Sequence, residues 1–193
     1  MTAAASEIFI IAGLGNPGAE YAQTRHNAGF RVIDQLAAEL GANYWKTGGG
    51  ALFAEVLYRG TKLVLCKPQR FMNLSGQPVK GMLTRYRATL NNLLVIHDEL
   101  DLPPGVLRLK QGGGDAGHRG LRSISTTLGS DYTRLRIGIG RPPGQMPAER
   151  FVLLGLKGAE ADEFDVTIAN AVPIVLTVLQ DGLVTAMNRF NGQ

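Results

Sequence analysis

Polar side chains suited to acid–base chemistry stand in four separate loops of this chain. A histidine can take a proton from water near neutral pH, a carboxylate can hold and orient such a histidine, and asparagine amides can bind a carbonyl or an oxyanion. Each residue type also has a structural use, such as capping a helix or completing a turn. The candidates are Asn16 and His26 in the first loop, Asn73 in the second, Asp98 in the third, and His118 with Arg119 in the fourth.

The first of these loops follows an apolar segment. Residues 8–12 are Ile-Phe-Ile-Ile-Ala, a run typical of a strand buried on both faces. A polar, glycine-rich stretch then leads to a predicted helix, whose apolar face is Phe30, Ile33, Leu36, Ala37 and Leu40 and which ends at Gly41. His26 is therefore expected just before this helix or on its first turn. That position is the carboxyl end of a central strand, where open α/β sheets bind ligands.

Asp98 ends a second apolar run, residues 93–98, and is expected at the end of another central strand. Strand-like and helix-like segments alternate along the chain, so we predict an α/β fold. This is a single three-layer domain over residues 1–193, with a twisted, mainly parallel mixed sheet flanked by helices and an antiparallel edge hairpin. Further strands are expected at 51–58, 62–67, 106–110 and 135–139, and further helices at 79–86, 121–128 and from 159 onward, with Ser75 as an N-cap, a loop at 141–147 and a kink at Pro173.

Three common kinds of site lack their signatures here. Gly13-x-Gly15-x-x-Gly18 matches the dinucleotide fingerprint, but that fingerprint needs a helix opening on the glycines and an acid at the end of the next strand. Pro17 delays the helix, and Asp34 lies inside it. No Gly-x-Ser-x-Gly motif is present, and the three histidines and one cysteine show no metal-ligand spacing. We expect no cofactor and no metal, although ligands distant in sequence can converge in space.

Basic residues are concentrated in one part of the chain. The net charge is +4, yet residues 108–141 hold seven basic residues against Asp115 and Asp131. A local basic patch favours a polyanionic partner, whereas the alternative is an ordinary solvated surface. The seven are Arg108, Lys110, Arg119, Arg122, Arg134, Arg136 and Arg141.

Composition and the N-terminus indicate a cytoplasmic protein. No apolar run has the length of a membrane span, and the first seven residues contain no basic residue, unlike a signal peptide. Cys66 is the only cysteine, which excludes an internal disulfide and fits a reducing compartment. It falls in a strand-like run, so we expect a buried structural thiol.

Four motifs, in this order and at this spacing, together resemble those of bacterial peptidyl-tRNA hydrolase. The likeness runs through about three quarters of the chain. The motifs are Gly13-Leu-Gly-Asn-Pro-Gly18 followed by Tyr21 and Thr24-Arg-His-Asn-Ala-Gly29; Phe71-Met-Asn-Leu-Ser-Gly76; His97-Asp-Glu-Leu-Asp-Leu-Pro-Pro-Gly105; and Gly112-Gly-Gly-Asp-Ala-Gly-His-Arg-Gly-Leu121.

The resemblance implies a monomeric enzyme that cleaves the ester between a peptide and the 3′-terminal ribose of tRNA, without cofactor, metal or membrane. His26 would be the catalytic histidine and Asp98 the carboxylate that orients it. The implied substrate-binding residues are Asn16, Tyr21, Phe71, Asn73, His118 and Arg119, and the implied tRNA-binding residues are Lys110 and Arg136. A non-catalytic RNA-binding protein on the same fold and a peptidase or nucleoside-cleaving enzyme are the alternatives.

Arg119 departs from the family pattern, in which an asparagine is expected after Gly117-His118. An arginine has five donors and no acceptor, so it cannot copy an amide that accepts a bond from water. Either Arg119 donates to a substrate carbonyl or phosphate and lowers the pKa of His26, or it points to solvent. The sequence leaves both interpretations open.

Overall fold

Seven strands form one sheet in the computed structural model, which describes residues 7–192. The N-terminal residues 1–6, on which most of the signal-peptide argument rests, lie outside the described part. The strands are β1 (Ile8–Gly13), β2 (Trp45–Gly48), β3 (Ala51–Tyr58), β4 (Thr61–Pro68), β5 (Leu93–Glu99), β6 (Leu107–Gln111) and β7 (Thr133–Gly138). The helices are α1 (Ala28–Leu40), α2 (Gly76–Tyr86), α3 (Arg119–Leu128), α4 (Ala148–Val152), α5 (Gly158–Asp181) and α6 (Leu183–Phe190).

The strand order is β2-β3-β4-β1-β5-β7-β6, with a parallel centre. Strand β1 pairs in parallel with β4 and β5, and β5 pairs in parallel with β7. Antiparallel strands complete both edges, where one edge hairpin was expected. The predicted mixed α/β sheet is confirmed, and β1 and β5 are its central strands.

Helices cover both faces of the sheet and create two apolar cores. Side chains of α1 and α5 pack on one face around Ile11 and Ile96, and those of α2 and α3 pack on the other around Ile10 and Val95. Cys66 is fully buried in the second core, as expected, and burial raises the pKa of its thiol to about 12. Within residues 7–192, no helix is long and apolar enough to cross a membrane.

Two glycines bring α1 against the end of β1. A Cβ on Gly13 would lie 2.1 Å from the carbonyl oxygen of Gly29, and a Cβ on Gly29 would lie 2.2 Å from the backbone nitrogen of Leu14. The Phe30 N–H also donates to the carbonyl of Leu14, at 3.2 Å. This close approach sets the residues just before α1, including His26, directly over the carboxyl end of β1.

Several local expectations need correction. Ser75 precedes α2 but does not cap it, because its hydroxyl donates to the Met72 carbonyl instead. The kink expected at Pro173 stays a prediction, and the residue lies inside α5, which continues to Asp181. Helix α4 was not expected, and neither was β2, whose four partly exposed residues lack an apolar run.

Candidate active site

The polar loops converge at the carboxyl ends of β1 and β5, around a cavity of about 260 Å³. The residues lining it come from the first loop, the segment before α2, the end of β5, the start of α3 and helix α4. All the sequence-derived candidates for catalysis and substrate binding line this cavity: Asn16, Tyr21, His26, Phe71, Asn73, Asp98, His118 and Arg119.

Asp98 accepts hydrogen bonds from two histidines at the floor of the cavity. Nδ1 of His26 lies 3.0 Å from each carboxylate oxygen, and Nε2 of His118 lies 2.9 Å from Oδ1. Asp98 is 3% exposed and His26 is 9% exposed, so the His26–Asp98 pair is largely shielded from water. His26 therefore has Nε2 available to bind a molecule that enters the cavity.

Backbone hydrogen bonds fix the tautomer of His118. Its Nδ1 accepts from the N–H groups of Gly120 and Leu121, at 3.1 and 3.3 Å, and so caps the start of α3. The ring proton of the neutral form must then sit on Nε2, which donates it to Asp98. His118 lines the cavity, but both of its ring nitrogens are engaged by the protein. Its ring therefore supports Asp98.

The arrangement shifts the proton affinities of the pair in opposite directions. Burial raises the pKa of Asp98, but the neighbouring His26 and His118 outweigh burial and hold that pKa well below its usual range. Burial lowers the pKa of His26, but the charge and hydrogen bond of Asp98 raise it further, so the net pKa lies above 6.5 although Arg119 lowers it slightly. Asp98 thus stays ionised and favours the imidazolium form of His26.

A third histidine lies behind the site and was not assigned a role from sequence. His97 is 1% exposed, its Nδ1–H donates to the carbonyl of Asp98 at 2.7 Å, and its ring packs edge-on against His118 with centroids 5.1 Å apart. Burial lowers the pKa of His97 to about 3. This neutral ring provides packing for the hydrogen-bonded cluster.

Asn27 holds Asn16 in place through the oxygen and the nitrogen of its side-chain amide. Its Oδ1 accepts from the Asn16 N–H and its Nδ2 donates to the Asn16 carbonyl, each at 2.9 Å. The side-chain oxygen of Asn16 accepts from the backbone N–H of Met72 at 2.8 Å. The group that Asn16 offers to a ligand is therefore its amide NH₂. The sequence analysis gave Asn27 no role, and the signal for one was its place in the motif Thr24-Arg-His-Asn-Ala-Gly29.

Helix α4 forms the wall opposite the Phe71–Asn73 segment. The loop before α1 holds this wall: the guanidinium of Arg25 stacks over the Phe151 ring, 4.3 Å from its centroid. Val152 and Leu153 line the cavity, and Phe71 is 58% exposed. The cavity is thus flanked by apolar side chains on two sides.

Arg119 and Glu149 form an ion pair that joins the start of α3 to α4 beside the cavity. Nη2 of Arg119 donates to Oε1 of Glu149 at 2.9 Å, and both residues line the cavity. The side chains are 60% and 72% exposed. Arg119 therefore lies at the cavity and in contact with solvent at once, which combines parts of both interpretations of this residue.

The other basic residues split into surface and structural groups. Lys110 and Arg136 lie outside the cavity, on the neighbouring strands β6 and β7, where they point to the same face. Arg134 has a different role, because it is 2% exposed and donates to the carbonyls of Gly113 and Gly114, at 2.6 Å each. The basic segment therefore contributes fewer surface charges than its composition implied.

His26, Asp98 and His118 also have the donor set of a metal site, with ligand atoms within 4.8 Å of one another. Their hydrogen bonds oppose that use. His118 has committed the lone pair of Nδ1 to the α3 backbone and carries its proton on the nitrogen that faces Asp98. Binding a cation there would require removing that proton, so the residues do not fit a resident metal.

Fold and site together suit a hydrolase: a histidine paired with a buried carboxylate lies at the carboxyl edge of a parallel sheet, beside amides that can hold a carbonyl. Comparison with known sequences gives the family. The chain belongs to the peptidyl-tRNA hydrolase family, whose model matches residues 10–193.

Relatives match this chain along nearly its whole length. Peptidyl-tRNA hydrolase from Frankia casuarinae is 47% identical over 184 residues, covering 95% of this chain and 93% of that protein. The same enzyme from Streptomyces coelicolor is 44% identical over 198 residues, covering 99% and 98%. The crystal structure of peptidyl-tRNA hydrolase from Acinetobacter baumannii has a TM-score of 0.89 at 40% identity, covering 98% of this chain and 97% of that one.

Proposed function

We propose that this protein hydrolyses the ester between a peptide and the 3′-terminal ribose of tRNA, releasing free peptide and reusable tRNA. The observation that carries the proposal is the buried His26–Asp98 pair, whose Nε2 faces a cavity also lined by Asn16 and Asn73. Membership of the family supports the same reaction.

In the proposed mechanism, neutral His26 is the general base. Nε2 takes a proton from water as the water oxygen attacks the ester carbonyl carbon, and Asp98 stabilises the imidazolium that forms. Amide N–H groups of Asn16 and Asn73 hold the carbonyl oxygen as it gains negative charge. The intermediate then expels the ribose 3′ oxygen, which takes the proton from His26. Water, ester and products balance without any other reactant.

Apolar side chains around the cavity suit the peptide. Tyr21 and Phe71 line it, Leu74 is 49% exposed near Phe71 in the chain, and Leu153, directly after α4, is 43% exposed. Apolar side chains supply most of the binding surface of a pocket, whereas precisely placed polar groups give it specificity. This fits an enzyme that accepts peptides of varied sequence.

The face of β6 and β7 that carries Lys110 and Arg136 suits the RNA. Lys110 is exposed on this face, and the Nε of Arg136 is buried with no hydrogen-bond partner among residues 7–192. Asn191 binds both backbone groups of Leu109 and so closes the free edge of β6. We propose that Lys110 and Arg136 bind a tRNA phosphate, because such contacts set position and contribute affinity independently of sequence.

We infer that the chain works in the cytoplasm as a monomeric single domain, since peptidyl-tRNA is a product of translation there and one cavity contains every group that the mechanism uses. A non-catalytic RNA-binding role has no supporting observation, because the residues needed for catalysis stand together.

The test supplies N-acetyl-aminoacyl-tRNA and, separately, a free N-blocked peptide. We expect release of tRNA from the first and no cleavage of the second. Cleavage of the peptide alone would make the protein a peptidase.

A further inference from the structure

The ion pair between Arg119 and Glu149 connects two elements that line the cavity containing His26. Arg119 is the first residue of α3 and directly follows His118. Glu149 belongs to α4. Both residues line the same cavity and both side chains are mostly exposed, so the 2.9 Å contact between them lies on the solvent-facing side of the cavity.

In this contact, another anion can replace the Glu149 carboxylate on Arg119. A single guanidinium nitrogen of Arg119 meets a single oxygen of Glu149, and both side chains are mostly exposed. Exposed ion pairs of this kind bias an equilibrium by no more than about fivefold. The hydrogen bonds between Asp98 and its two histidines are buried and use both carboxylate oxygens, so that cluster is fixed whereas the Arg119–Glu149 pair is not.

The guanidinium of Arg119 has the geometry to bind a phosphate. Its planar fork presents parallel N–H groups that match two oxygens of a phosphate, whereas Glu149 uses only one donor. In the substrate proposed above, the last backbone phosphate lies one ribose away from the ester that His26 must reach. Arg119 lines the same cavity as His26, so it places a cation in the cavity that the ester and its neighbouring phosphate must approach.

We propose that Arg119 is a substrate-binding residue for the last phosphodiester of the tRNA, and that Glu149 is a carboxylate that occupies its place on Arg119 until substrate arrives. This inference rests on the proposed function. It gives the two residues opposite effects on substrate affinity, since Arg119 binds the phosphate and Glu149 competes with it.

The experiment compares two N-acetyl-aminoacyl-tRNAs that differ in one group. In one, the last phosphodiester is natural; in the other, it is a neutral methylphosphonate. With the natural substrate we expect Arg119→Gln to raise KM about tenfold or more, and Glu149→Gln to lower KM by up to about fivefold, with kcat nearly unchanged. With the methylphosphonate, wild type should have a KM as high as that of Arg119→Gln with the natural substrate. Neither substitution should then change KM further.

A matched control is available on the same helix. Arg122 is 62% exposed and pairs with Asp115, yet it does not line the cavity. Arg122→Gln should therefore change KM by the same factor for both substrates. Equal effects of Arg119→Gln on both substrates would place Arg119 on the peptide or ribose and overturn the proposal. A raised KM for Glu149→Gln would also overturn it. Failure of wild type to hydrolyse the natural substrate would instead refute the proposed function.

Discussion

Replacing Asp98 with asparagine should reverse the tautomer of His26. His118 can only donate toward residue 98, because its Nδ1 already accepts from the α3 backbone. The new amide must therefore place its oxygen where Oδ1 stands, 2.9 Å from His118. Its NH₂ group then takes the position of Oδ2, 3.0 Å from Nδ1 of His26.

That NH₂ group would donate to Nδ1 of His26 and favour the ring proton on Nε2, in competition with the amide oxygen, which also lies 3.0 Å from Nδ1 and can accept from it. In molecules with the proton on Nε2, that nitrogen cannot accept a second proton from water. A comparable Asp-to-Asn change in a serine protease lowers kcat by ~10⁴, equivalent to about 5.5 kcal/mol at the transition state. We expect a loss approaching that size in kcat, with KM nearly unchanged because Asp98 is buried beneath the ring.

The assay measures kcat and KM for N-acetyl-aminoacyl-tRNA, and ¹⁵N NMR reports the tautomer of His26 directly. Asp101→Asn is the matched control, since Asp101 follows β5 three residues after Asp98 and pairs with the exposed Arg141 outside the cavity. Unchanged kcat in Asp98→Asn, or a ring that keeps its proton on Nδ1, would refute this reasoning.

Three further predictions concern pH and charge. Since the pKa of His26 is raised and its neutral form is the base, kcat/KM should fall as pH decreases through a value above 6.5; a pH–rate profile without that limb would exclude His26 as the titrating base. Lys110→Ala and Arg136→Ala should weaken tRNA binding and each reduce the slope of log K against log[salt] by up to ~0.9, and unchanged slopes in binding titrations would leave these residues without a phosphate contact. His97 has a folded-state pKa of about 3 against about 6.5 unfolded, so the unfolded chain binds the extra proton and stability falls below pH 6.5. At pH 5 the loss is about 2 kcal/mol, since 1.5 pKa units are worth about 1.36 kcal/mol each; His97→Gln should remove it, and equal pH dependence of urea unfolding in both proteins would contradict this.

Much of the architecture and the composition of the cavity was predictable from sequence. Continuous apolar runs identified β1 and β5 as central strands, and parallel strands present their carboxyl ends at one edge of a sheet. The residues that follow those runs, His26 and Asp98, were therefore expected to meet. Their actual hydrogen bond joins positions 72 residues apart.

Other features depend on contacts that a linear pattern does not contain. Nothing in the sequence indicates that His118 caps α3 with one nitrogen and supports Asp98 with the other. Charge counting treated Arg134 as a surface cation, whereas its guanidinium is used inside a glycine-rich loop. Glu149 follows a Pro/Gly loop with no motif, so its contact with Arg119 required the fold.

The most direct test of the account replaces His26 with alanine and measures single-turnover hydrolysis of N-acetyl-aminoacyl-tRNA together with tRNA binding. We expect turnover to fall by about two to four decades, because general-base catalysis contributes ~10²–10⁴, while tRNA affinity stays near that of wild type. Near-wild-type turnover by the purified, folded variant would contradict the assignment of His26 as the base and, with it, the proposed mechanism.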